Sequence, residues 1–386
     1  MARRPTSADV AREAGVSRTT VSFVLNERPD VKLPDETRQR VLAAATRLGY
    51  QPNASARRLA GGHSHVIALV MRQSPEQVAS DAGLAETLRG LVAAARTSGF
   101  RVMVEPLAPD GPHATYTSLL RAQHADGLVI SGPRVDDPSL VELVDDGFPI
   151  VLQGALPDVS CPSVDVDNVV GARGAVDHLV ALGHRRIACI TNAPLVYTAA
   201  QERLTGYREA LAAAGIEPDP DLVIEGGFDA SSGHRAMAEL LQRTTFTAAF
   251  VASDVVALGA IGALRAAGLD CPADVSIVGF DDIPLAAYFD PPLTTVRLPA
   301  FELGQAAGRA LLDRIAEREI AARTLLRTEL VIRSSTRAAH AVGSANGTDR
   351  VPQVTGSQER GVTPPPGGGR STPGRRQEGS TTHAHR

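Results

Sequence analysis

Along the first fifty residues the apolar positions fall into three short runs at helical spacing. Val10, Ala11 and Ala14 share one face of the first run. It opens at Thr6 with Asp9 three residues on, a pair able to cap a helix reciprocally. Gly15 follows where a tight turn needs positive φ. Ser17 caps the second run, which extends through Leu25 and turns Val21, Val24 and Leu25 inward. Residues 26–34 are rich in turn formers. The third run starts near Asp35, keeps Val41, Ala44, Ala45 and Leu48 on one face and stops at Gly49. Helix, glycine turn, helix and a supporting third helix make a helix-turn-helix. A three-helix scaffold that meets no DNA is the bland alternative.

After Gly49 come Tyr50-Gln51-Pro52-Asn53, a stretch at 54–60 and then Gly61-Gly62. Asn53 can cap a helix of barely two turns, too short to persist alone in water, so it should be ordered only when something holds it. From Val66 the pattern becomes an alternation of apolar strands and helices. Strands are predicted near 66–71, 100–105, 127–131 and 148–152, and again near 186–191, 222–226, 247–252 and 275–280. Helices are predicted near 83–98, 169–182, 201–214, 232–243 and 255–267. A strand at 294–297, a helix at 300–317 and a last strand near 327–332 cross back between the two series. This is an α/β body of two lobes, each a doubly wound parallel sheet, with a cleft between them. Ligands of open α/β sheets bind beyond the carboxyl ends of the strands, so site residues belong to the loops there. Residues 341–386 hold nine glycines and five prolines and read as a disordered tail. The division expected is a helical head at 1–50, hinge and linker at 51–65, the two-lobed body at 66–336 and the tail at 337–386.

Charge changes how the head is read. The 386 residues sum to −4, but residues 1–62 carry 11 basic against 6 acidic side chains, a net of +5. Residues 63–336 carry 21 against 34, a net of −13. A basic head on an acidic body points to a polyanion partner for the head alone. Lys32 is the only lysine among 39 basic residues, so the choice of arginine itself carries little meaning. Cys161, Cys189 and Cys271 lie far apart without metal-ligand spacing and read as reduced core residues of a cytoplasmic protein. The polar start of the chain gives no secretory signal, and the longest uncharged stretch, residues 187–201, is too short to span a bilayer. No nucleophile–base arrangement, metal motif or phosphate loop is visible, so neither enzyme chemistry nor a cofactor is expected. His184, at the end of a helix in Gly183-His184, reads as a cap.

The motifs resemble the lactose-repressor (LacI) family of bacterial transcription regulators. The head matches in Asp9-Val10-Ala11-Arg12-Glu13-Ala14-Gly15-Val16-Ser17, in Thr20-Val21-Ser22 and in Leu48-Gly49-Tyr50-Gln51-Pro52-Asn53. The body matches in Gly183-His184-Arg185-Arg186-Ile187, Arg203-Leu204-Thr205-Gly206-Tyr207, Gly279-Phe280-Asp281-Asp282 and Pro292-Leu293-Thr294-Thr295-Val296. The likeness spans roughly residues 5–336. It implies a homodimeric repressor on a near-palindromic double-stranded operator, the second helix in the major groove and paired hinge helices in the minor groove. Arg18 and Thr19 open that second helix, where arginine suits the O6/N7 pair of guanine. Phe23, an exposed aromatic where the family often has Arg or His, either presses on a thymine methyl or packs back onto the head. Ser7, Ser17, Thr20, Ser22 and Asn26 suit phosphate contacts or capping. Leu59 corresponds to the family's minor-groove wedge, with Asn53, Ala56 and Arg57 beside it. Pro34 stands where a Ser or Thr cap is frequent, leaving that end of the third helix to Asp35 and Glu36.

In the body the resemblance maps effector contacts onto Arg203, which opens a helix, onto Asp254 after the strand at 248–251, and onto Asp281 at the end of the next strand. An arginine fork with carboxylates hydrogen-bonds vicinal hydroxyls, which favours a sugar. Three departures bear on the ligand. The loop at 72–82 lacks the aromatic pair many relatives carry, Ser253 replaces the Asn common before Asp254, and Leu298 replaces a frequent Gln. Tyr197 is a candidate replacement aromatic. A nucleoside or other metabolite is the alternative effector. A two-lobed solute receptor predicts a secretory signal and no helix-turn-helix, and an α/β enzyme predicts a catalytic constellation in the cleft. The sequence carries neither.

Overall fold

The computed structural model describes residues 5–25, 31–50, 63–107, 115–122 and 124–339. The hinge helix expected at 54–60 and the chain beyond Ala339 lie outside the described residues; residues 337–339, expected in the tail, are instead hydrogen-bonded to the body, Ala339 N–H donating to the Leu182 carbonyl at 2.8 Å.

The head is α1 (Ser7–Ala14), α2 (Arg18–Leu25) and α3 (Asp35–Leu48). Thr6 and Asp9 form the reciprocal cap: the Asp9 carboxylate accepts the Thr6 N–H at 2.9 Å, and the Thr6 hydroxyl accepts the Asp9 N–H at 3.4 Å. Gly15 ends α1 at φ 65°, a conformation that only glycine adopts without strain. Ser17 Oγ accepts the Thr20 N–H at 3.0 Å, capping α2. No side chain caps Pro34, and Asp35 and Glu36 meet the helix dipole in the first turn of α3. Val10, Ala14, Val21, Val24, Val41 and Ala44 close the small core.

The body's strands are β1 (Val66–Met71), β2 (Arg101–Pro106), β3 (Gly127–Ser131), β4 (Ile150–Gln153), β5 (Ser163–Val166), β6 (Ile187–Ile190), β7 (Val223–Ile224), β8 (Ala248–Val251), β9 (Ser276–Asp281), β10 (Thr294–Arg297), β11 (Arg323–Leu326) and β12 (Glu329–Val331). Its helices are α4 (Pro75–Ser80), α5 (Leu84–Thr97), α6 (Thr115–Arg121), α7 (Pro138–Asp145), α8 (Asn168–Ala181), α9 (Thr198–Ala213), α10 (Ala230–Arg243), α11 (Asp254–Ala266) and α12 (Ala300–Ile315). One sheet runs β11-β5-β4-β3-β1-β2 and is parallel throughout. The other runs β12-β10-β9-β8-β6-β7, with only β12 antiparallel. Each sheet buries an apolar cluster on either face, which is why its inner strands are near-continuous apolar runs.

The chain passes between lobes three times: after β5, after β10, and between β11 and β12. On the second passage α12 returns to the first lobe and packs on α5. That contact is close because both helices carry glycine: a Cβ on Gly90 would sit 2.0 Å from the Phe301 carbonyl oxygen, and one on Gly304 2.0 Å from that of Thr87. The strand expected at 327–332 is β12, at Glu329–Val331, and β11, just before it in the other lobe, was not expected. β5 was not expected, since four residues alternating Ser-Val-Asp-Val carry almost no periodic signal. The helix expected from 201 begins at Thr198. His184 does cap the end of α8, its N–H donating to the Leu179 carbonyl at 3.2 Å, but its ring does more. It is buried, its Nδ1 2.8 Å from Thr247 Oγ1 and its Nε2 3.0 Å from the Arg337 carbonyl oxygen, fastening the segment that ends the body.

Candidate functional site

On the head, Arg18 and Thr19 are exposed at the start of α2. Ser17 is exposed with its oxygen committed to the cap, and Thr20 pairs with it at 2.9 Å. Ser7, Ser22 and Phe23 are half-buried, so Phe23 is less exposed than expected. Asn26, Asn53, Ala56, Arg57 and Leu59 lie outside the described residues.

In the body the carboxyl ends of both sheets face a common cavity of about 540 Å³. Gln73 follows β1, Gln153 ends β4, and Asn192 follows β6; Ser253 lies between β8 and α11, and Asp281 ends β9. Arg203, on α9, is 5% exposed. Its Nε donates to Asn168 Oδ1 at 3.0 Å, and its Nη1 to the Ala252 carbonyl at 2.6 Å and to Asp281 at 3.3 Å. The guanidinium stacks 3.8 Å from the centre of the Phe280 ring. These bonds hold the arginine's plane before any ligand arrives.

Asp281 and Asp282 both adopt positive φ, at 119° and 53°, strain of the kind that gathers at functional sites. Burial pushes the Asp281 carboxyl up to about 6, against the pull of Arg203 and of a hydrogen bond from Ser253. Asp282 pairs with Arg297 at 2.8 Å and Arg333 at 2.5 Å.

Two expected contact residues stand behind the wall. Asp254 is 0% exposed and does not line the cavity. It accepts the Ile283 N–H at 2.9 Å and the Thr295 hydroxyl at 2.5 Å, while burial, with the nearby Asp281 charge, raises its carboxyl well above the usual range. Tyr197 is buried and spans the lobes: its hydroxyl donates to the Arg72 carbonyl, and Arg134 lies over its ring at 5.4 Å. Around it Val135 N–H donates to the Val196 carbonyl at 2.9 Å, and Thr198 N–H to that of Pro133 at 3.3 Å. The aromatic rings on the cavity are instead Phe228, edge-on to Tyr197 at 4.9 Å, and Phe301, which carries Arg89 at 4.0 Å. Leu298 lines the cavity and adds apolar surface.

Three residues that sequence reasoning missed are the most telling. The amide oxygens of Gln73, Gln153 and Asn192 are buried and have no hydrogen-bond partner among the described residues, and all three residues belong to the cavity wall. An orphaned buried acceptor costs roughly 1–3 kcal/mol, a penalty that a donor-rich ligand would remove. Asp165 and Asn168 were also missed. Gln73, Gln153 and Asn192 fall at or just beyond the ends of expected strands, which is their only sequence signal, whereas Asp165 lies in β5, a strand that was not expected, and Asn168 opens α8 just after it.

Among the described residues no group of His, Cys, Asp or Glu is arranged to hold a metal, and no helix is long and apolar enough to cross a membrane.

The model for bacterial regulatory proteins of the lacI family matches residues 6–53, and that for the periplasmic binding protein-like domain matches 176–336. The chain is similar to the HTH-type transcriptional regulator CelR of Thermobifida fusca, 39% identical over 338 residues that cover 86% of this chain and 98% of CelR. It is 36% identical to the HTH-type transcriptional repressor CytR of Escherichia coli K12, over 86% of this chain and 96% of CytR. Among solved structures, the Lac repressor dimer bound to operator and the anti-inducer ONPF matches 87% of this chain and all of its own at 33% identity and a TM-score of 0.76. A CelR–cellobiose complex matches 86% of this chain and all of its own at 38% identity and a TM-score of 0.67. The chain therefore belongs to the lacI family of bacterial regulatory proteins: it is a DNA-binding transcriptional regulator under small-molecule control, not an enzyme.

Proposed function

We propose that the chain is a cytoplasmic, homodimeric repressor whose hold on its operator is set by a neutral sugar in the interlobe cavity. The observation that carries this reading is that three residues of the cavity wall, Gln73, Gln153 and Asn192, hold unpartnered buried amide oxygens, beside Arg203, Asp165 and Asp281. Acceptors in excess call for a ligand rich in hydroxyl donors, and Phe228 and Phe301 offer apolar faces to a ring. At about 540 Å³ the cavity is within the ~300–1,000 Å³ range of small-molecule sites. CelR, solved with cellobiose, is consistent with that size and class.

In this reading residues 1–50 are the DNA-binding head, 51–65 the hinge, 66–336 the sensor and 337–386 the tail. Arg18 and Thr19 read base edges; Ser7, Ser17, Thr20, Ser22 and Asn26 position the head on phosphates; Phe23 packs against the head. Asn53, Ala56, Arg57 and the Leu59 wedge serve the minor groove. Arg203, Ser253 and Asp281 touch the effector, while Asp254 and Tyr197 position the groups that do. Leu285 and Tyr288, exposed on the second lobe, offer apolar surface to a second copy. The sugar acts only through its preference for one arrangement of the lobes.

Thermal-shift screening of the full chain against neutral mono- and disaccharides and nucleosides tests the reading. A ligand at a hundred times its Kd stabilises by ~2.7 kcal/mol, a shift of several degrees. Stabilisation by a sugar supports the proposal, and stabilisation by nucleosides alone overturns it.

A further inference from the structure

The charges around the cavity do not balance, and we propose that this imbalance makes the site refuse anions: the effector is uncharged, and its phosphorylated or carboxylated counterparts are excluded. The inference rests on the cavity being the effector site, but not on the effector being a sugar. Six carboxylates line the cavity, those of Asp81, Glu86, Asp165, Asp281, Asp282 and Glu302, against the three guanidiniums of Arg89, Arg203 and Arg297. Those guanidiniums are engaged. Arg89 holds Glu86 at 2.5 Å, Arg203 holds Asp281 at 3.3 Å, and Arg297 divides itself between Asp282 at 2.8 Å and Glu329 at 3.0 Å.

Asp81 and Asp165 are held by uncharged donors instead. Asp81 accepts the backbone N–H of Gly83 at 2.9 Å and of Leu84 at 3.1 Å. Asp165 accepts the Val166 N–H at 2.8 Å and the Asn168 amide at 3.4 Å. Among the described residues neither is seen in an ion pair with an arginine. Burial raises both carboxyls; Asp165, pressed further by Glu202 and partly relieved by Arg203 and Arg323, is pushed up to about 6. Five helices, α5, α8, α9, α11 and α12, begin at the cavity wall, and their amino ends attract negative charge. Asp81 accepts the N–H groups that open α5, Asp167 caps α8, Asp254 sits in the first turn of α11 and Glu302 in that of α12, so four of the five are already answered from within the chain. What remains for a ligand is a surplus of acceptors, which suits hydroxyl donors and opposes phosphate or carboxylate. One uncompensated carboxylate ~8 Å from a ligand charge, at an effective dielectric of ~20, opposes it by a factor of about 30.

Isothermal titration calorimetry of the full chain at neutral pH tests this with matched pairs: cellobiose and cellobionate, glucose and glucose 6-phosphate, adenosine and AMP, cytidine and CMP. Whichever neutral parent binds, its charged partner should bind at least about 30-fold more weakly. A charged partner that binds within threefold of its parent, or tighter, overturns the proposal. A nucleoside that binds while its monophosphate and every sugar do not sinks the sugar reading and leaves this one standing. A second measurement needs no ligand. Asp165→Asn keeps the Oδ1 acceptor and removes the charge, so it should raise the melting temperature well above the protonation range of Asp165 and much less below it. A melting temperature unchanged or lowered on the alkaline side means that the charge is compensated, and the proposal fails.

Discussion

Replacing Arg203 by methionine separates what the arginine does for the fold from what it does for a ligand. In the intact protein Asp281 titrates at about 6, above the ordinary ~3.9 of an aspartate. The stability this carboxyl confers is therefore full below ~4 and lost as the pH rises through 6. Arg203, 3.3 Å away, limits that loss. Without it the carboxyl moves higher still, since an adjacent arginine holds an aspartate down by ~1–3 units at ~1.4 kcal/mol each. At a pH above the Asp281 titration the variant should lose about 3–5 kcal/mol, the cost of stranding a buried charge. Below it, where Asp281 is protonated in either protein, the loss should be smaller by on the order of 2 kcal/mol, leaving the bonds to Asn168 and Ala252 and the stack on Phe280. Adding Asp281→Asn should recover most of the difference on the alkaline side. Urea unfolding of the three proteins at the two pH values measures each quantity. Equal losses at both, or a double variant no more stable than Arg203→Met alone, would refute the reasoning.

Three further outcomes follow from the geometry. Gly90→Ala drives a methyl into the Phe301 carbonyl on α12 and should cost about 1–3 kcal/mol in calorimetry; a neutral result would mean that α5 and α12 can slide apart freely. Tyr197→Phe removes one buried bond between the lobes, worth about 1 kcal/mol, and should change effector affinity about fivefold with little effect on melting, whereas an unchanged affinity would show that the contact does not differ between ligand states. Arg18→Ala should weaken operator binding at least about tenfold and flatten discrimination at one base pair while leaving the melting curve alone; an equal loss on every DNA sequence would reassign Arg18 to phosphate.

The head was legible almost to the residue because its signals are local. Helical spacing, the Thr6–Asp9 pair, Ser17 and the two stop glycines lie within a few residues of what they control. The inner strands were legible as apolar runs, but β5 and β11 were not: each is four residues long and half polar, and β11, at the sheet edge, pairs with β5 only because the chain crosses back from the other lobe. At the cavity, the family resemblance, not periodicity, pointed to Arg203, Ser253 and Asp281, all of which line it. The resemblance could not show that Asp254 turns inward, because its orientation is set by the Ile283 N–H and the Thr295 hydroxyl, 29 and 41 residues away. Gln73, Gln153 and Asn192 leave no periodic trace, and only the folded cavity reveals that their oxygens lack partners.

The most direct measurement asks whether a neutral sugar governs DNA binding through the interlobe cavity. A duplex bound by the full chain can be selected from random DNA and its Kd measured by fluorescence anisotropy, with and without the sugar that stabilises the protein most. Saturating sugar should change that Kd at least about tenfold, a coupling of ~1.4 kcal/mol or more, and Gln73→Ala should weaken the response. An operator Kd unmoved by a sugar that demonstrably fills the cavity would show that the cavity does not govern DNA binding.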